Sequence, residues 1–321
     1  MAPRPHRAPP TGPAEIIGID WGTTHLRAYR VAPDGQVVAR CEGDDGVLRA
    51  RGRFGQVCAG VIEGLGARPG ELPVILSGMV GSTQGWQPVD YLGIDQPLRT
   101  LGAHLVPLRA ADAPPRCHLV PGYAVMPEQA GPEQGIDVMR GEEVQLLGAT
   151  LLEPDARNRM VVLPGTHSKW AQVGGGLIRW FATYMTGELF ACLSQHGTLG
   201  ALMSRSEESP QAFAEGVRRA GASRLAGALF SCRAMVVTGA MPAEHAREYL
   251  SGVLIGAELH EALGRGGPLA RAVSIVASSA LARRYRDAAA LLGIEARCLD
   301  PDAVYVAALR ELGNKLPAPS P

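Results

Sequence analysis

Ile16-Ile17-Gly18-Ile19-Asp20-Trp21-Gly22-Thr23-Thr24 is the stretch on which the fold turns. Its apolar residues specify a short buried strand. Asp20 stands at the end of that strand, and Gly22 permits a tight turn that a Cβ would resist. Thr23 and Thr24 open a return strand running from His25 to Val31, where turn N–H groups and short hydroxyl side chains can face an anion. A carboxylate beside a phosphate cradle is explained by a hard cation such as Mg²⁺ bridging the two. The following segment reads as strand rather than helix, so this is not the Gly-x-x-x-x-Gly-Lys-Ser/Thr loop. An ordinary hairpin is the plain alternative: Asp20 would cap a turn, and threonine suits strands in any case.

The same layout recurs downstream. Met160–Leu163 reads as a second buried strand, ending in Pro164-Gly165-Thr166-His167-Ser168-Lys169. Residues 15–40 predict a three-stranded antiparallel meander, with Asp34-Gly35 as a hairpin turn. A helix is expected from about Arg53 to Leu65, a strand over Pro73–Leu76 and another over His118–Pro121. Gly122–Gly135, with two prolines, reads as loop, and Glu142–Leu152 as a helix ended by Glu153-Pro154-Asp155. The second half predicts helices over Ala212–Ala228, Pro242–Leu263, Leu281–Leu292 and Pro301–Leu312, with strands over Ala234–Val237 and Val273–Val276. The expected organisation is a disordered arm (1–13), an N-terminal lobe (14–153), a C-terminal lobe (154–316) and a tail (317–321). The fold class is α/β: two lobes, each a mixed sheet flanked by helices, closing on a nucleotide in the cleft between them. A strand–turn–strand phosphate site in each half points to the actin/hexokinase/Hsp70 type of ATP-binding fold.

Composition narrows the function. The 321 residues carry 31 basic and 31 acidic side chains, so there is no nucleic-acid footprint. Lys169 and Lys315 are the chain's two lysines against a large excess of arginine, which draws attention to Lys169. The six cysteines form no Cys-x-x-Cys pair, so neither a zinc site nor a disulfide framework is indicated. Scattered cysteines of this kind are expected to be small buried hydrophobes. The five prolines and two arginines of residues 1–13 lack the apolar core of a signal peptide. No apolar run reaches the roughly 20 residues of a membrane span. A cytoplasmic protein without a membrane partner is expected; the oligomeric state stays open.

Six ordered motifs carry a resemblance. They are Ile19–Thr24; Gly78-Met79-Val80-Gly81-Ser82 with Gly85-Trp86; Val138-Met139-Arg140-Gly141-Glu142-Glu143; Leu163–Trp170; Met185-Thr186-Gly187-Glu188-Leu189; and Leu250–Glu258. Together, over residues 15–312, they resemble the 2-dehydro-3-deoxygalactonokinase family, sugar-acid kinases of the actin/hexokinase fold. The resemblance implies ATP-dependent phosphorylation of 2-dehydro-3-deoxy-D-galactonate at its 6-hydroxyl, in galactonate breakdown. It departs from such kinases at the adenosine loop, where Val276-Ala277-Ser278-Ser279-Ala280-Leu281 carries no glycine. Ser278 and Ser279 are the adenosine-site candidates there.

Phosphoryl transfer needs positioning, charge neutralisation and a base near the attacking hydroxyl. Asp20 is the expected Mg²⁺ residue, with Gly22, Thr23 and Thr24 at the β- and γ-phosphates. Gly165 and Thr166 should cradle phosphate from the other lobe, together with His167, Ser168 and Lys169. Lys169 reads equally as a phosphate charge or a solvated lysine, and His167 rather as structural. Glu142 is the candidate base, with Glu143 behind it, although acids in a first helical turn also simply favour the dipole. A substrate carboxylate suits a bidentate arginine. Arg140, adjoining the base, leads over Arg27 and Arg179. Ser82, Trp86 and Glu188 are expected to line the sugar pocket, with Trp86 equally readable as a packed aromatic. The competing functions are a kinase for the gluco epimer or another sugar acid, a non-catalytic sugar or nucleotide sensor, and a polymerising or chaperone-type ATPase. The sensor normally needs a DNA-binding head, and the conformational ATPase extra subdomains, for which this length leaves little room.

Overall fold

The structure, a computed structural model, describes residues 15–131, 134–154, 158–203, 205–266 and 272–316. The proline-rich arm and the tail lie outside those residues. Two compact units divide the chain: one holds the residues up to Asp90, Arg99–Gly122 and those from Val306, the other Tyr91–Leu98 and Tyr123–Tyr305. The expected lobes divide it elsewhere. Helix 142–152 sits in the second unit, because Gly148 packs so closely on Val304 that a Cβ would lie 1.9 Å from its carbonyl oxygen. The final turns of helix 301–313 group with the first unit, where Gly313 meets Ile16 and Arg310 donates to the Pro33 carbonyl.

In the first unit the alternating apolar pattern builds β1 (Ile16–Trp21), β2 (Leu26–Val31) and β3 (Val37–Gly43), the expected antiparallel meander. Next come α1 (Val47–Ala50), α2 (Phe54–Gly64), β4 (Val74–Gly78), then β5 (Leu92–Gly93), which belongs to the second unit, and β6 (Val106–Pro107) and β7 (Cys117–Leu119). The main sheet runs β3-β2-β1-β4-β7-β6, with β1, β4 and β7 parallel. Phe54, Val57, Cys58 and Ile62 bury the inner face of α2 against Trp21, Leu76 and Leu119 of this sheet. The strand ends of β1 and β4 lie side by side, Trp21 opposite Gly78.

The second unit continues with β8 (Tyr123–Val125), β9 (Asp137–Met139), α3 (Glu142–Leu152), β10 (Asn158–Leu163), β11 (Ser168–Gly174) and β12 (Leu177–Tyr184). Then follow α4 (Thr186–Gln195), α5 (Gly197–Gly200), α6 (Pro210–Ala222), α7 (Leu225–Val237) and α8 (Ala246–Gly266). β13 (Ala272–Val276), α9 (Ser279–Leu291), β14 (Glu295–Leu299) and the start of α10 (Pro301–Gly313) complete it. Its main sheet runs β12-β11-β10-β13-β14, and a small sheet runs β5-β8-β9. Two expectations are corrected. Tyr123–Val125 is strand, not loop, because it is buried between β5 and β9 and the Tyr123 hydroxyl donates to the Gln96 carbonyl (3.1 Å). Ala234–Val237 is the last turn of α7, not a strand; short apolar runs do not declare their period, and Cys232 and Ser231 dock this helix on α8 through Ala246 and Tyr249. Cys58, Cys117 and Cys232 are buried as expected, whereas Cys192 and Cys298 are exposed.

Candidate active site

The first turn is fixed by local pairing. The Gly22 N–H donates to the His25 carbonyl (2.9 Å), and the residues entering α1 donate back to the Gly22, Thr23 and Thr24 carbonyls. Thr23 and Thr24 therefore lie exposed in the turn itself rather than on the return strand. Asp20 faces Arg27 across the β1–β2 ladder, and cross-strand partners share a face. Arg27 accordingly donates to Asp20 Oδ2 at 2.8 Å, with the carboxylate 19% exposed. Gly78 closes the other side: at φ +85°, its missing Cβ lets β4 end against the Trp21 carbonyl and Asp20 Oδ1. A cavity of about 600 Å³ opens here, lined by Asp20, Gly22, Thr23, Thr24, Glu42 and Asp44.

Trp86 and Ser82 sit in the same unit. Trp86 stacks on Phe54 (5.8 Å between ring centroids) and meets the edge of Trp21, and its indole donates to Asp112 (2.9 Å). Trp86 is thus packed on one side while staying partly exposed. Ser82 accepts from the Gln84 N–H at a partly exposed turn.

The second turn belongs to the other unit. Gly165, Thr166 and His167 are exposed at the junction of β10 and β11. The first turn of α4 packs onto them: a Cβ on Gly187 would lie 2.3 Å from the Gly165 carbonyl oxygen, and the Glu188 N–H donates to the Thr166 carbonyl (3.0 Å). His167 Nε2 and Glu188 Oε2 are 2.5 Å apart, so Glu188 braces this turn. Two expected phosphate residues point elsewhere. Ser168 is fully buried and shares a hydrogen bond with the Tyr285 hydroxyl (3.0 Å). Lys169 is neither solvated nor aimed at an anion: it is buried, donating to the Val138 carbonyl (2.7 Å) and Thr183 Oγ1 (2.6 Å). Both follow from β11 being an inner strand, paired on each side, whose burial on both faces leaves these side chains no route to solvent.

Arg140, Gly141, Glu142 and Glu143 form the entry to α3. Gly141 adopts φ +107°, which a residue with a Cβ resists, and so lets the chain turn into the helix. The Arg140 and Gly141 N–H groups donate to Glu142 Oε2 (3.0 Å) and Glu143 Oε2 (2.6 Å). Arg140 is buried with its guanidinium carbon 4.2 Å from the Tyr91 ring centroid, a cation–π contact. Arg179 is exposed at a hairpin, and Arg27 is engaged by Asp20. The two acids differ sharply. Glu142 is partly exposed, whereas Glu143 is wholly buried and its carboxyl is pushed up to about 8, by burial first and by the neighbouring Glu142 charge second. A base must touch the reacting hydroxyl, so of the pair Glu142 is the one with access.

A sequence profile of the 2-keto-3-deoxy-galactonokinase family matches residues 20–312. The chain is 34% identical to 2-dehydro-3-deoxygalactonokinase of Escherichia coli K12, over 94% of this chain and 98% of that one. A crystal structure from Sinorhizobium meliloti, attributed to the same activity, superposes with a TM-score of 0.81 at 31% identity, over 92% and 94% of the two chains. The chain belongs to the 2-keto-3-deoxy-galactonokinase family. It is a kinase, a phosphotransferase with an alcohol group as acceptor. Component A of (R)-2-hydroxyglutaryl-CoA dehydratase from Acidaminococcus fermentans shares the fold alone, with a TM-score of 0.50 and 12% identity over 94% and 97% of the chains.

In this kinase, one group near the second turn escapes a reading of the sequence by phosphate motifs. Glu258 is 2% exposed and accepts from the Trp170 indole (2.6 Å) and the Tyr285 hydroxyl (2.8 Å), with Thr186 bonded to it as well. Burial raises its carboxyl above the ordinary range. The available signal was an acid set among Leu254, Ile255, Ala257 and Leu259 on an apolar helix face. The network ties β11, α4, α8 and α9 together behind Gly165. There a cavity of about 240 Å³ opens, lined by Gly165, Gly187, Phe190, Arg247, Leu254 and Leu281 among others. Ser278 and Ser279 lie exposed at the start of α9, outside its lining.

Proposed function

We propose that the protein transfers the γ-phosphoryl group of ATP to the 6-hydroxyl of 2-dehydro-3-deoxy-D-galactonate. Family membership supports the substrate, and the entry to α3 supports the chemistry. There, residues two positions apart offer a buried guanidinium, set over the Tyr91 ring, and a partly exposed carboxylate. Arg140 pairs with the sugar-acid carboxylate through its planar fork. Glu142 accepts the proton of the 6-hydroxyl as its oxygen bonds to the γ-phosphorus. The bond from that phosphorus to the β,γ-bridging oxygen breaks, and ADP leaves with the electron pair.

Each exposed turn, Gly22–Thr24 in one unit and Gly165–Thr166 in the other, offers its own unit's candidate phosphate contact. The purine and ribose enter the cavity between α4, α8 and α9, with its apolar walls at Phe190, Leu254 and Leu281. Asp20 suits Mg²⁺: the donors around its cavity are hard carboxylate oxygens from Asp20, Glu42 and Asp44. Among the described residues no group of three or more His, Cys, Asp or Glu side chains could hold a metal. Mg²⁺ characteristically binds through one or two carboxylates plus substrate phosphates, so the donor set fits that mode. The ion neutralises phosphate charge when bound with the nucleotide. Arg27 holds Asp20 in place from across the ladder. Among the described residues no helix is long and apolar enough to cross a membrane.

A coupled ADP-release assay tests this reading. Mg-ATP is supplied with 2-dehydro-3-deoxygalactonate, its gluconate epimer, galactonate or no sugar. Turnover confined to the first compound is the expected result. Preference for the epimer would correct the stereochemistry, and ADP release indifferent to sugar would overturn the kinase reading.

A further inference from the structure

Lys169 departs furthest from its expected use, and the reason lies in what it holds. Its ammonium bonds the Val138 carbonyl oxygen (2.7 Å) and Thr183 Oγ1 (2.6 Å). Thr183, its cross-strand partner on β12, passes the hydrogen-bond chain on, donating its hydroxyl to Asp137 Oδ1 at 2.7 Å. The Thr183 backbone N–H donates to Asp137 Oδ2, also at 2.7 Å. The pattern repeats upstream, where the Gln134 side chain both accepts from the Phe181 N–H (3.1 Å) and donates to the Phe181 carbonyl (2.9 Å). β12 is the edge of its sheet, and side chains from 134–137 take the place of a further strand along it.

β9 ends at Met139, and the next residues are Arg140, Gly141 and Glu142. Gly141, at φ +107°, is the pliable link in that run. On its other side the phosphate turn Gly165–Thr166 leads straight into β11, whose second residue is Lys169. Burying an ammonium is costly unless it is fully hydrogen-bonded. An apolar side chain could fill the same space, so retaining the lysine calls for a use of its polarity. We propose that Lys169, Thr183 and Asp137 are positioning residues for phosphoryl transfer. They fix the entry to α3, with Arg140 and Glu142, to the two strands that follow the second phosphate turn. The proposal rests on the roles given above to Arg140 and Glu142. A misplacement of about 1 Å at a reacting group costs on the order of 10²-fold in rate, so a tether of this kind acts on kcat. The turn is braced separately by Gly187 and Glu188 of α4, so KM for ATP is expected to stay nearly unchanged.

The test uses the full chain as wild type, Thr183→Val, Thr183→Ser and Asp137→Ala, with steady-state kinetics and amide hydrogen exchange across residues 137–146. Thr183→Val is expected to lower kcat by about 10- to 100-fold, with KM for ATP within about twofold and faster exchange confined to that segment. Thr183→Ser, which keeps the hydroxyl, is expected to restore both. Asp137→Ala is expected to repeat the Val result. Because Asp137 is only partly buried and stands outside the apolar core, it keeps the test alive should Thr183→Val not fold. Unchanged kcat in Asp137→Ala or a folded Thr183→Val, or unchanged exchange across 137–146, overturns the proposal. A wild type that ignores every sugar acid, with exchange still raised in the variants, sinks the catalytic reading and leaves the tether standing.

Discussion

Glu143→Gln separates burial from catalysis at the entry to α3. Glu143 is wholly buried, Oε2 accepts from the Gly141 N–H, and Oε1 has no hydrogen-bond partner among the described residues. Its carboxyl is held at about 8 in the folded chain against an ordinary value of 4.5. A gap of that size corresponds to about 5 kcal/mol. The sign follows from linkage. Below 4.5 the carboxyl is protonated folded or unfolded, and its stabilising contribution is fully present. Between there and about 8 the unfolded chain gives up the proton and the folded chain keeps it, so stability falls as pH rises. Between roughly pH 5.5 and 7.5 this one group therefore removes on the order of a few kcal/mol. Glutamine has nearly the same shape and no proton to lose. It carries a fixed cost of about 1–3 kcal/mol for burying an amide whose second polar end finds no acceptor, and that cost does not vary with pH. Urea unfolding of both proteins at several pH values reads the difference directly. Glu143→Gln should start less stable at pH 5.5 and gain on the wild type steadily up to about pH 8, by about 1.4 kcal/mol per pH step. Parallel curves would refute the argument. If kcat in this variant fell as far as in Glu142→Gln, the accessible acid would not be the base.

Four further outcomes are expected. Glu142→Gln should lower kcat by about 10²- to 10⁴-fold with little change in KM for the sugar acid; steady-state kinetics check this, and an unchanged kcat removes Glu142 as base. Asp20→Asn should leave the circular dichroism spectrum intact and reduce Mg-ATP turnover to below about one-hundredth; near-normal turnover would end the metal role. Gly187→Ala places a methyl 2.3 Å from the Gly165 carbonyl oxygen, so the turn must shift; KM for ATP should rise by about tenfold or more, although alanine favours the helix. Arg140→Lys should raise KM for the sugar acid by about tenfold or more, because lysine lacks the planar fork, while ATP titrations stay as they were.

Much of the site was legible in one dimension because its signals are local. Apolar runs ending in Asp20-Trp21-Gly22 and Pro164-Gly165-Thr166 specify strands that stop at turns, and both turns are where those runs place them. Gly141 before Glu142 and Glu143 marks the start of α3, whose bounds Glu142–Leu152 are those the sequence pattern predicts. Side-chain direction and burial are long-range properties and were decided by packing. Lys169 and Ser168 follow a phosphate turn in sequence, yet β11 becomes an inner strand only when β10 and β12 pair with it, and that turns both inward. Asp20 meets Arg27 through the β1–β2 register, seven residues apart. Trp86 is claimed by Phe54 and Asp112 from distant segments, and Glu258 by Trp170 and Tyr285. Glu142 and Glu143 are the same residue type one position apart, and the 100° between neighbours on a helix leaves one accessible and buries the other. The sequence by itself determined where strands end and turns begin, since backbone preference is local. Only the tertiary structure decided which side chains those turns present, since that depends on what packs behind them.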